Sequence, residues 1–195
     1  YNDINNIINI CKKCEYNIRN YSNKIMDTEG TNFVNTNSYK LYLNNNDYLL
    51  GYCNTENNLL CSVISKNNNE MQSCFDYLNY RNIKDFDNIE IFCKKLSNNC
   101  IQKLGSKKIK SDKKSVIFIN KTSYTIFEHL LEAIMGNNVY NNSTFLSNKL
   151  NKILFKNNID IIEDPNIIKG IGSCYFDSEG VKKTKKYIVK NGILV

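Results

Sequence analysis

The amino-acid sequence predicts an α+β fold, in which an antiparallel sheet with flanking helices is followed by the truncated start of a second, α/β-type C-terminal domain. Two segments carry apolar residues at helical spacing, and the stretch between them consists of short apolar runs separated by asparagine-rich turns. Short turns favour hairpins over the crossover connections of a parallel sheet. A polar, basic stretch then separates these elements from a second series of apolar runs.

We expect the first domain to cover residues 1–110. It begins with an amphipathic helix over residues 3–22, because one helical face collects Ile4, Ile7, Cys11, Cys14, Ile18 and Tyr21. Strands are predicted for the apolar runs that follow, at residues 39–43, 48–53, 59–64 and 71–78. Asp87 is the expected cap of a second helix, and Gly105 is its expected end.

The second domain, residues 111–195, follows a boundary that we place in the polar stretch 105–114. A buried strand is predicted for residues 115–120, and a helix for residues 122–135 that ends at Gly136. Ser143 is the expected cap of a further short helix. This helix is predicted for residues 143–150. Three strands are predicted for residues 159–162, 171–177 and 186–195.

The composition is typical of a globular protein, since 42% of the 195 residues are apolar. No apolar run is long enough to cross a bilayer, so no membrane partner is expected. The formal net charge is +7, with basic clusters at residues 107–110 and 182–186. Lysine clusters can bind phosphate groups when they share one face. Because these two clusters lie in separate segments, solvated surface positions are the better interpretation, and nucleic acid is not an expected partner.

Eight cysteines raise the alternative of a metal or redox site. Cys11 and Cys14 have the CxxC spacing of a zinc knuckle or a redox pair. A structural zinc site needs four ligands, however, and the sequence has no second CxxC. Both cysteines lie on the apolar face of the first predicted helix, and Cys93 and Cys100 lie on that of the second. We interpret all four as core residues, with a free-standing metal–thiol module as the alternative.

The last 26 residues contain a glycine pair, an acidic turn, a basic segment and two apolar pairs in fixed order: Gly170 and Gly172, Asp177-Ser178-Glu179-Gly180, residues 182–186, Ile188-Val189 and Asn191-Gly192-Ile193-Leu194. This order resembles the TldD/PmbA family, and within it the PmbA (TldE) branch. Four further segments are similar to family motifs in the same order along the chain, at residues 28–33, 51–55, 116–120 and 127–136. The family protein is longer at both ends, so the resemblance implies a central fragment.

The resemblance also implies a peptidase built from two related chains, only one of which carries the metal. In the catalytic branch, a helix carries HExxxH, a relative of the HExxH motif in which two histidines bind zinc and a glutamate acts as base. The corresponding positions here are Glu128, His129 and Ala133, and His129 is the only histidine of the chain. No two-histidine site can therefore form. We expect no catalytic residue, metal site or cofactor in this chain, and zinc in the partner subunit.

Four residues are candidate contacts for a substrate or partner: Asp177, Glu179, Gly180 and His129. Two carboxylates beside a glycine can bind a cation, orient a partner residue or accept a peptide amine. The same residues also make a good turn between two strands. For His129, the alternative is a helix residue near the core.

The resemblance implies a PmbA/TldE-like subunit of a cytoplasmic, heterodimeric zinc metallopeptidase. A TldD-like catalytic subunit would be its partner. The substrates would be extended, unfolded peptides, including antitoxins and peptide precursors. This chain would help to hold the peptide, which would add a strand to its sheet. The alternative is a nucleic-acid-associated or interaction protein without an enzymatic role, since the family's older name is a modulator of DNA gyrase.

Overall fold

The computed structural model describes residues 4–45, 48–68 and 70–195. It divides into two compact units: Tyr1–Lys108 with Pro165–Lys183, and Ile109–Asp164 with Thr184–Val195. The chain leaves the first unit at residue 108, returns to it for residues 165–183, and then enters the second unit again. The boundary predicted between residues 110 and 111 separates the two domains that the family resemblance implies, which differ in definition from these compact units. This boundary stays a prediction.

The first unit contains two helices and a four-stranded antiparallel sheet: α1 Ile4–Arg19, β1 Ile25–Asp27, β2 Thr31–Leu43, β3 Leu49–Asn67, β4 Glu70–Tyr80 and α2 Ile89–Gln102. A short 3-10 helix, Ile83–Asp85, precedes α2. β3 is the central strand, because β1 and β2 pair along one of its edges and β4 pairs along the other. The α+β class with an antiparallel sheet and flanking helices is thereby confirmed.

The two helices pack against one face of this sheet. Leu59, Cys61 and Val63 alternate along β3 and are fully buried, which is the period of two that a strand with one covered face requires. α1 contributes Cys14 and Ile18 to the core. α2 contributes five residues: Ile89, Phe92, Cys93, Leu96 and Cys100. The interpretation of the helix cysteines as core residues is confirmed for Cys14, Cys93 and Cys100, while Cys11 is partly buried against the same core.

β3 is longer than the sequence indicates. The runs at residues 48–53 and 59–64 were predicted as two strands, and this is wrong, since one strand of 19 residues covers Leu49–Asn67. The intervening polar residues pair with β2 without interruption, from Asn54 opposite Ser38 to Asn58 opposite Val34. Most of these polar side chains stay partly exposed, and the buried Asn57 is hydrogen-bonded.

The second unit contains α3 Asn120–Ala133, α4 Gly136–Tyr140 and an antiparallel sheet of β5 Ile161–Glu163, β6 Lys186–Lys190 and β7 Ile193–Leu194. The single strand predicted for residues 186–195 is a hairpin instead. Asn191 and Gly192 both have positive φ, 50° and 77°, as a two-residue turn of the kind favoured by Asn-Gly requires. The small core consists of buried Leu130, Ala133, Leu146, Val189 and Leu194.

Three other predicted elements are wrong. Residues 115–119 form no strand, and Val116 and Ile117 are 70% and 89% exposed; an apolar run becomes a buried strand only where another strand pairs with it. Residues 143–150 form turns rather than a helix, because the Ser143 hydroxyl donates backwards to the Asn138 carbonyl and Asn148 is left-handed.

The third wrong element is the strand at residues 171–177. This segment is a loop with a single bridge, between Phe176 and Lys182. Within the described residues, the helices are too short or too polar to cross a bilayer.

Candidate functional site

The segment that carries the predicted acidic turn packs on the hairpin formed by β2 and β3. Phe176 is 3% exposed and lies between the rings of Tyr42 and Tyr52, with centroid distances of 6.4 and 5.0 Å. The ammonium group of Lys40 lies 5.5 Å from the centre of the Phe176 ring, a favourable cation–π geometry. An aromatic residue between two tyrosines thus anchors the loop to one face of the hairpin.

The Asp177 carboxylate orders the turn that follows it. Its Oδ1 accepts hydrogen bonds from the backbone N–H groups of Glu179 and Val181, both at 2.9 Å. The hydrogen bond from Val181 is the largest cause that lowers the pKa of Asp177, because it stabilises the charged form. Gly180 is left-handed, with φ 79°, and lies against the ring of Tyr42.

These contacts favour the turn interpretation for Asp177 and Gly180. The side chain of Glu179 is exposed. His129 lies on α3 of the other unit and is also exposed, which contradicts the alternative of a histidine packed near the core. Contact of these four residues with a substrate or partner stays a prediction.

A cavity of about 510 Å³ lies beside this loop. Its walls are formed by residues 52–55 of β3, by Arg81 and Asn82 directly after β4, and by the loop segments 165–170 and 173–175. All of these residues belong to the first unit. The volume is within the range of small-molecule and peptide-end sites.

Arg81 fixes the wall of the cavity by binding backbone carbonyl oxygens. Its Nε and Nη2 donate to the Gly170 oxygen at 3.2 and 3.0 Å, and Nη2 also donates to Ile171 and Ser173. Nη1 donates to the Thr55 oxygen at 3.4 Å. The guanidinium group therefore joins β3, the end of β4 and the loop.

A buried asparagine holds the backbone at Arg81. The Asn57 side chain is fully buried, and its amide donates to the carbonyl oxygens of Tyr80 and Arg81 at 3.3 and 3.1 Å. Its Oδ1 accepts from Asn35 of β2 at 2.8 Å. Neither Asn57 nor Arg81 is among the site residues that the sequence predicts. The polar position between the apolar residues of β3 was the only available signal, and it does not reveal the partners.

Three buried cysteines meet in the core of the first unit. Hydrogen bonds with the thiols of Cys61 and Cys93, followed by burial, raise the pKa of Cys14. Burial raises the pKa of the Cys11 thiol as well. Because their pKa values are raised, Cys11 and Cys14 behave as small apolar groups rather than as nucleophiles. Within the part of the chain that the structure describes, no three His, Cys, Asp or Glu residues are placed to hold a metal ion.

On α3, the residues at the positions that the resemblance aligns with HExxxH do not form a two-histidine pair. Glu128 and His129 are exposed on α3, and the position of the second histidine is Ala133, which is buried. A methyl group supplies no ligand atom, and a catalytic zinc site needs three protein ligands.

The C-terminal part of the chain matches a family model. Residues 111–195 match the PmbA/TldA metallopeptidase C-terminal domain. The "Metalloprotease PmbA homolog" of Buchnera aphidicola (subspecies Acyrthosiphon pisum) is 38% identical over 171 residues, which are 88% of this chain and 38% of that protein. "Metalloprotease PmbA" of Escherichia coli O157:H7 is 34% identical over the same shares of both chains. The chain thus spans about two-fifths of the length of these curated relatives.

Solved structures share the fold. A protein of Thermotoga maritima, described as a candidate modulator of a DNA gyrase, superposes with a TM-score of 0.86 at 24% identity, over 96% of this chain and 43% of that one. TldE from Thermococcus kodakarensis superposes with a TM-score of 0.77 at 15% identity, over 100% of this chain and 44% of that one. These structural similarities show the fold alone. The match to the family model and the curated relatives show that the chain belongs to the PmbA/TldD metallopeptidase family.

Proposed function

We propose that this chain belongs to the non-catalytic, peptide-holding subunit of a heterodimeric zinc metallopeptidase. In this account, a TldD-like partner carries the zinc and hydrolyses the peptide bond, and this chain binds an extended, unfolded peptide. The curated relatives are named metalloproteases, which supports the peptidase part of the proposal. The residues of α3 do not fit a two-histidine site, which supports the assignment of the zinc to a partner. The observation that carries the peptide-binding role is the open outer edge of β2.

The hydrogen bonds at the two ends of the β2–β3 ladder define this edge. Ser62 donates to the Gly30 oxygen, and Asn44 donates to the Tyr48 oxygen. Since the register is constant between these pairs, the even-numbered residues of β2 bond to β3. The odd-numbered residues therefore direct their N–H and C=O groups outwards. Among the described residues, no strand pairs with this edge.

The outer edge has a defined start and apolar surroundings. The Glu15 carboxylate accepts from the backbone N–H of Thr31 at 3.3 Å, so the edge is accessible from residue 33 onwards. Near the hairpin tip, Tyr39, Leu41 and Leu43 are 82%, 75% and 70% exposed. A peptide strand added here would gain backbone hydrogen bonds with little sequence preference, and its side chains would lie beside apolar neighbours.

The cysteines support a cytoplasmic location for this subunit. All eight are free thiols in the described structure, including three that meet in the core. Free thiols are the expected state in a reducing compartment. We therefore place the proposed complex in the cytoplasm.

The test is co-expression of the protein with a TldD-like partner, followed by peptide hydrolysis assays on the purified complex. Tyr39→Pro removes one outward N–H from the β2 edge, a position where proline is tolerated, and Tyr39→Ala is its matched control. We expect Tyr39→Pro to raise KM for an unfolded peptide about 5- to 30-fold, the equivalent of about 1–2 kcal/mol of lost hydrogen bonding. The alanine variant should stay within about 3-fold of the wild type.

Failure of the two chains to form a stable complex would contradict the heterodimer. Equal KM values for the two Tyr39 variants would contradict peptide binding at the β2 edge. Unchanged far-ultraviolet circular dichroism of both variants is the control for folding.

The gyrase-related name of the Thermotoga maritima protein favours a second candidate, a nucleic-acid-associated protein. Two lysines of the second basic cluster are paired, however: Lys185 with Asp164 at 3.0 Å, and Lys186 with Glu163 at 3.1 Å. A DNA affinity that falls steeply with salt concentration would favour this candidate over the peptidase subunit.

A further inference from the structure

The geometry points to the cavity beside Arg81 as a binding site for a carboxylate, and we propose that it takes the C-terminal carboxylate of the peptide. This inference rests on the proposed function, since it names the part of the substrate that the cavity recognises. It concerns binding by this chain alone, so its test does not require a catalytic partner.

The charge of the cavity favours an anion. Among the described residues that line it are two cationic side chains, Arg81 and Lys169, and no carboxylate. The ammonium group of Lys169 is paired with Asp85, at 2.7 Å. Asp85 does not line the cavity, and its carboxylate neutralises the charge of Lys169. Arg81 has no carboxylate partner within the described part of the chain and binds only carbonyl oxygens. The positive charge of Arg81 is therefore left for a ligand.

The guanidinium group also retains a donor. Nη1 carries two hydrogens, and its one hydrogen bond to a described residue is that to Thr55. The other bonds of Arg81, to Gly170, Ile171 and Ser173, hold the group in place. A carboxylate that accepts from the second Nη1 hydrogen meets a donor whose position is already fixed, which reduces the entropic cost of binding.

The remainder of the wall fits a short peptide better than a small inorganic anion. Asn54 supplies an amide and Thr55 a hydroxyl, while Ile167, Ile168 and Tyr175 supply apolar surface. A volume of about 510 Å³ exceeds the needs of a single carboxylate. The polar groups near Arg81 fit the C-terminal carboxylate of a peptide. The apolar surface further along the wall fits the side chains of its last residues.

Cys174 provides a reporter for occupancy, because it lines the cavity and is partly exposed. The experiment uses the purified protein and N-acetyl-trialanine, either as the free acid or as the C-terminal amide. Affinity is measured by calorimetry, and alkylation of Cys174 is measured by mass spectrometry with and without the peptide. Since the acid and the amide differ only at the terminus, no variant has to fold for this comparison.

We expect the free acid to bind at least about tenfold more tightly than the amide, and to slow alkylation of Cys174. Asn54→Asp places a carboxylate in the wall and should weaken binding of the acid at least about fivefold. Asn32→Asp changes the net charge equally on β2, outside the cavity wall, and should leave the affinity unchanged.

Equal affinities of acid and amide would overturn the inference, as would binding that leaves Cys174 alkylation unchanged. Acetate that protects Cys174 at the same concentrations as the tripeptide would also overturn the inference. Such a result would identify a site for small carboxylates rather than for peptides. These outcomes are independent of the heterodimer, which is tested by complex formation.

Discussion

Arg81 binds the carbonyl oxygen of Gly170 through two of its nitrogens, Nε at 3.2 Å and Nη2 at 3.0 Å. The two residues are 89 positions apart in the sequence. This contact returns the 165–183 segment to the first unit and shapes the wall of the cavity. It is therefore the contact on which the candidate site most depends.

Substitution of Arg81 should loosen the loop without unfolding the unit. Lysine keeps the charge but cannot reproduce the fork of donors, so we expect Arg81→Lys to destabilise the protein by about 1–3 kcal/mol. Hydrogen exchange should become faster at residues 168–174 and stay unchanged in the core of β3. Arg19→Lys, in α1 of the same unit and paired with Asp27, is the control for an arginine–lysine exchange away from the loop. Unchanged exchange in the loop of Arg81→Lys would contradict the structural role assigned to this residue.

Among the polar residues of the sheet, Asn57 should be the one whose substitution lowers the stability of the protein most. Asn57→Ala removes the buried amide that binds two carbonyl groups and the Asn35 amide. We expect a loss of about 2–3 kcal/mol in the free energy of unfolding, measured by urea denaturation. The neighbouring Asn58→Ala is the matched control, since Asn58 is only half-buried on the other face of β3, and it should cost less than about 0.5 kcal/mol. Similar losses for both variants would contradict this account.

Gly180 should tolerate no side chain. Its φ of 79° is left-handed, and an added Cβ would overlap the ring of Tyr42. Gly180→Ala should therefore cost about 2–4 kcal/mol from backbone strain and overpacking. Gly172→Ala, where a Cβ would meet no atom within 4 Å, should be neutral or stabilising by up to about 1 kcal/mol. Thermal unfolding of the two variants distinguishes them, and equal melting temperatures would contradict the packing described.

The turn at Asp177 should contribute a pH-dependent part of the stability. Backbone hydrogen bonds lower the pKa of this carboxyl in the folded protein, relative to about 3.9 in the unfolded chain. Its contribution is thus complete above about pH 4 and is lost as the pH falls through the lower, folded pKa. Asp177→Asn removes this titration, so the stability difference between wild type and variant should shrink below about pH 4.

Urea denaturation at a series of pH values measures the Asp177 effect. Glu179→Gln is the control, because the Glu179 carboxylate is exposed and orders no part of the turn in the described structure. A difference between wild type and Asp177→Asn that stays constant from pH 6 to pH 3 would contradict the assignment.

The elements that were predicted correctly are those whose pattern is local. α1 and α2 each place an apolar stripe on one face, and β2 alternates between Tyr39 and Leu43, so their spacing contains the necessary information. The expectation that this chain binds no zinc depends on the identity of three positions near His129, and it stays a prediction.

The missed features depend on contacts between distant segments. The run at residues 115–119 is as apolar as a buried strand, but pairing decides its conformation, and pairing is not encoded in the run itself. Arg81 and Asn57 are ordinary polar residues in the sequence. Their roles arise because the chain returns to the first unit at residues 165–183 and places carbonyl oxygens beside the end of β4.

The central claim is that this chain binds peptides but cannot hydrolyse them without a partner. The most direct measurement combines zinc analysis with hydrolysis of an unfolded peptide, for the purified protein alone and for its complex with a TldD-like chain. We predict no stoichiometric zinc and no hydrolysis for the protein alone, with both present in the complex. Stoichiometric zinc and peptide cleavage by the protein alone would contradict the account.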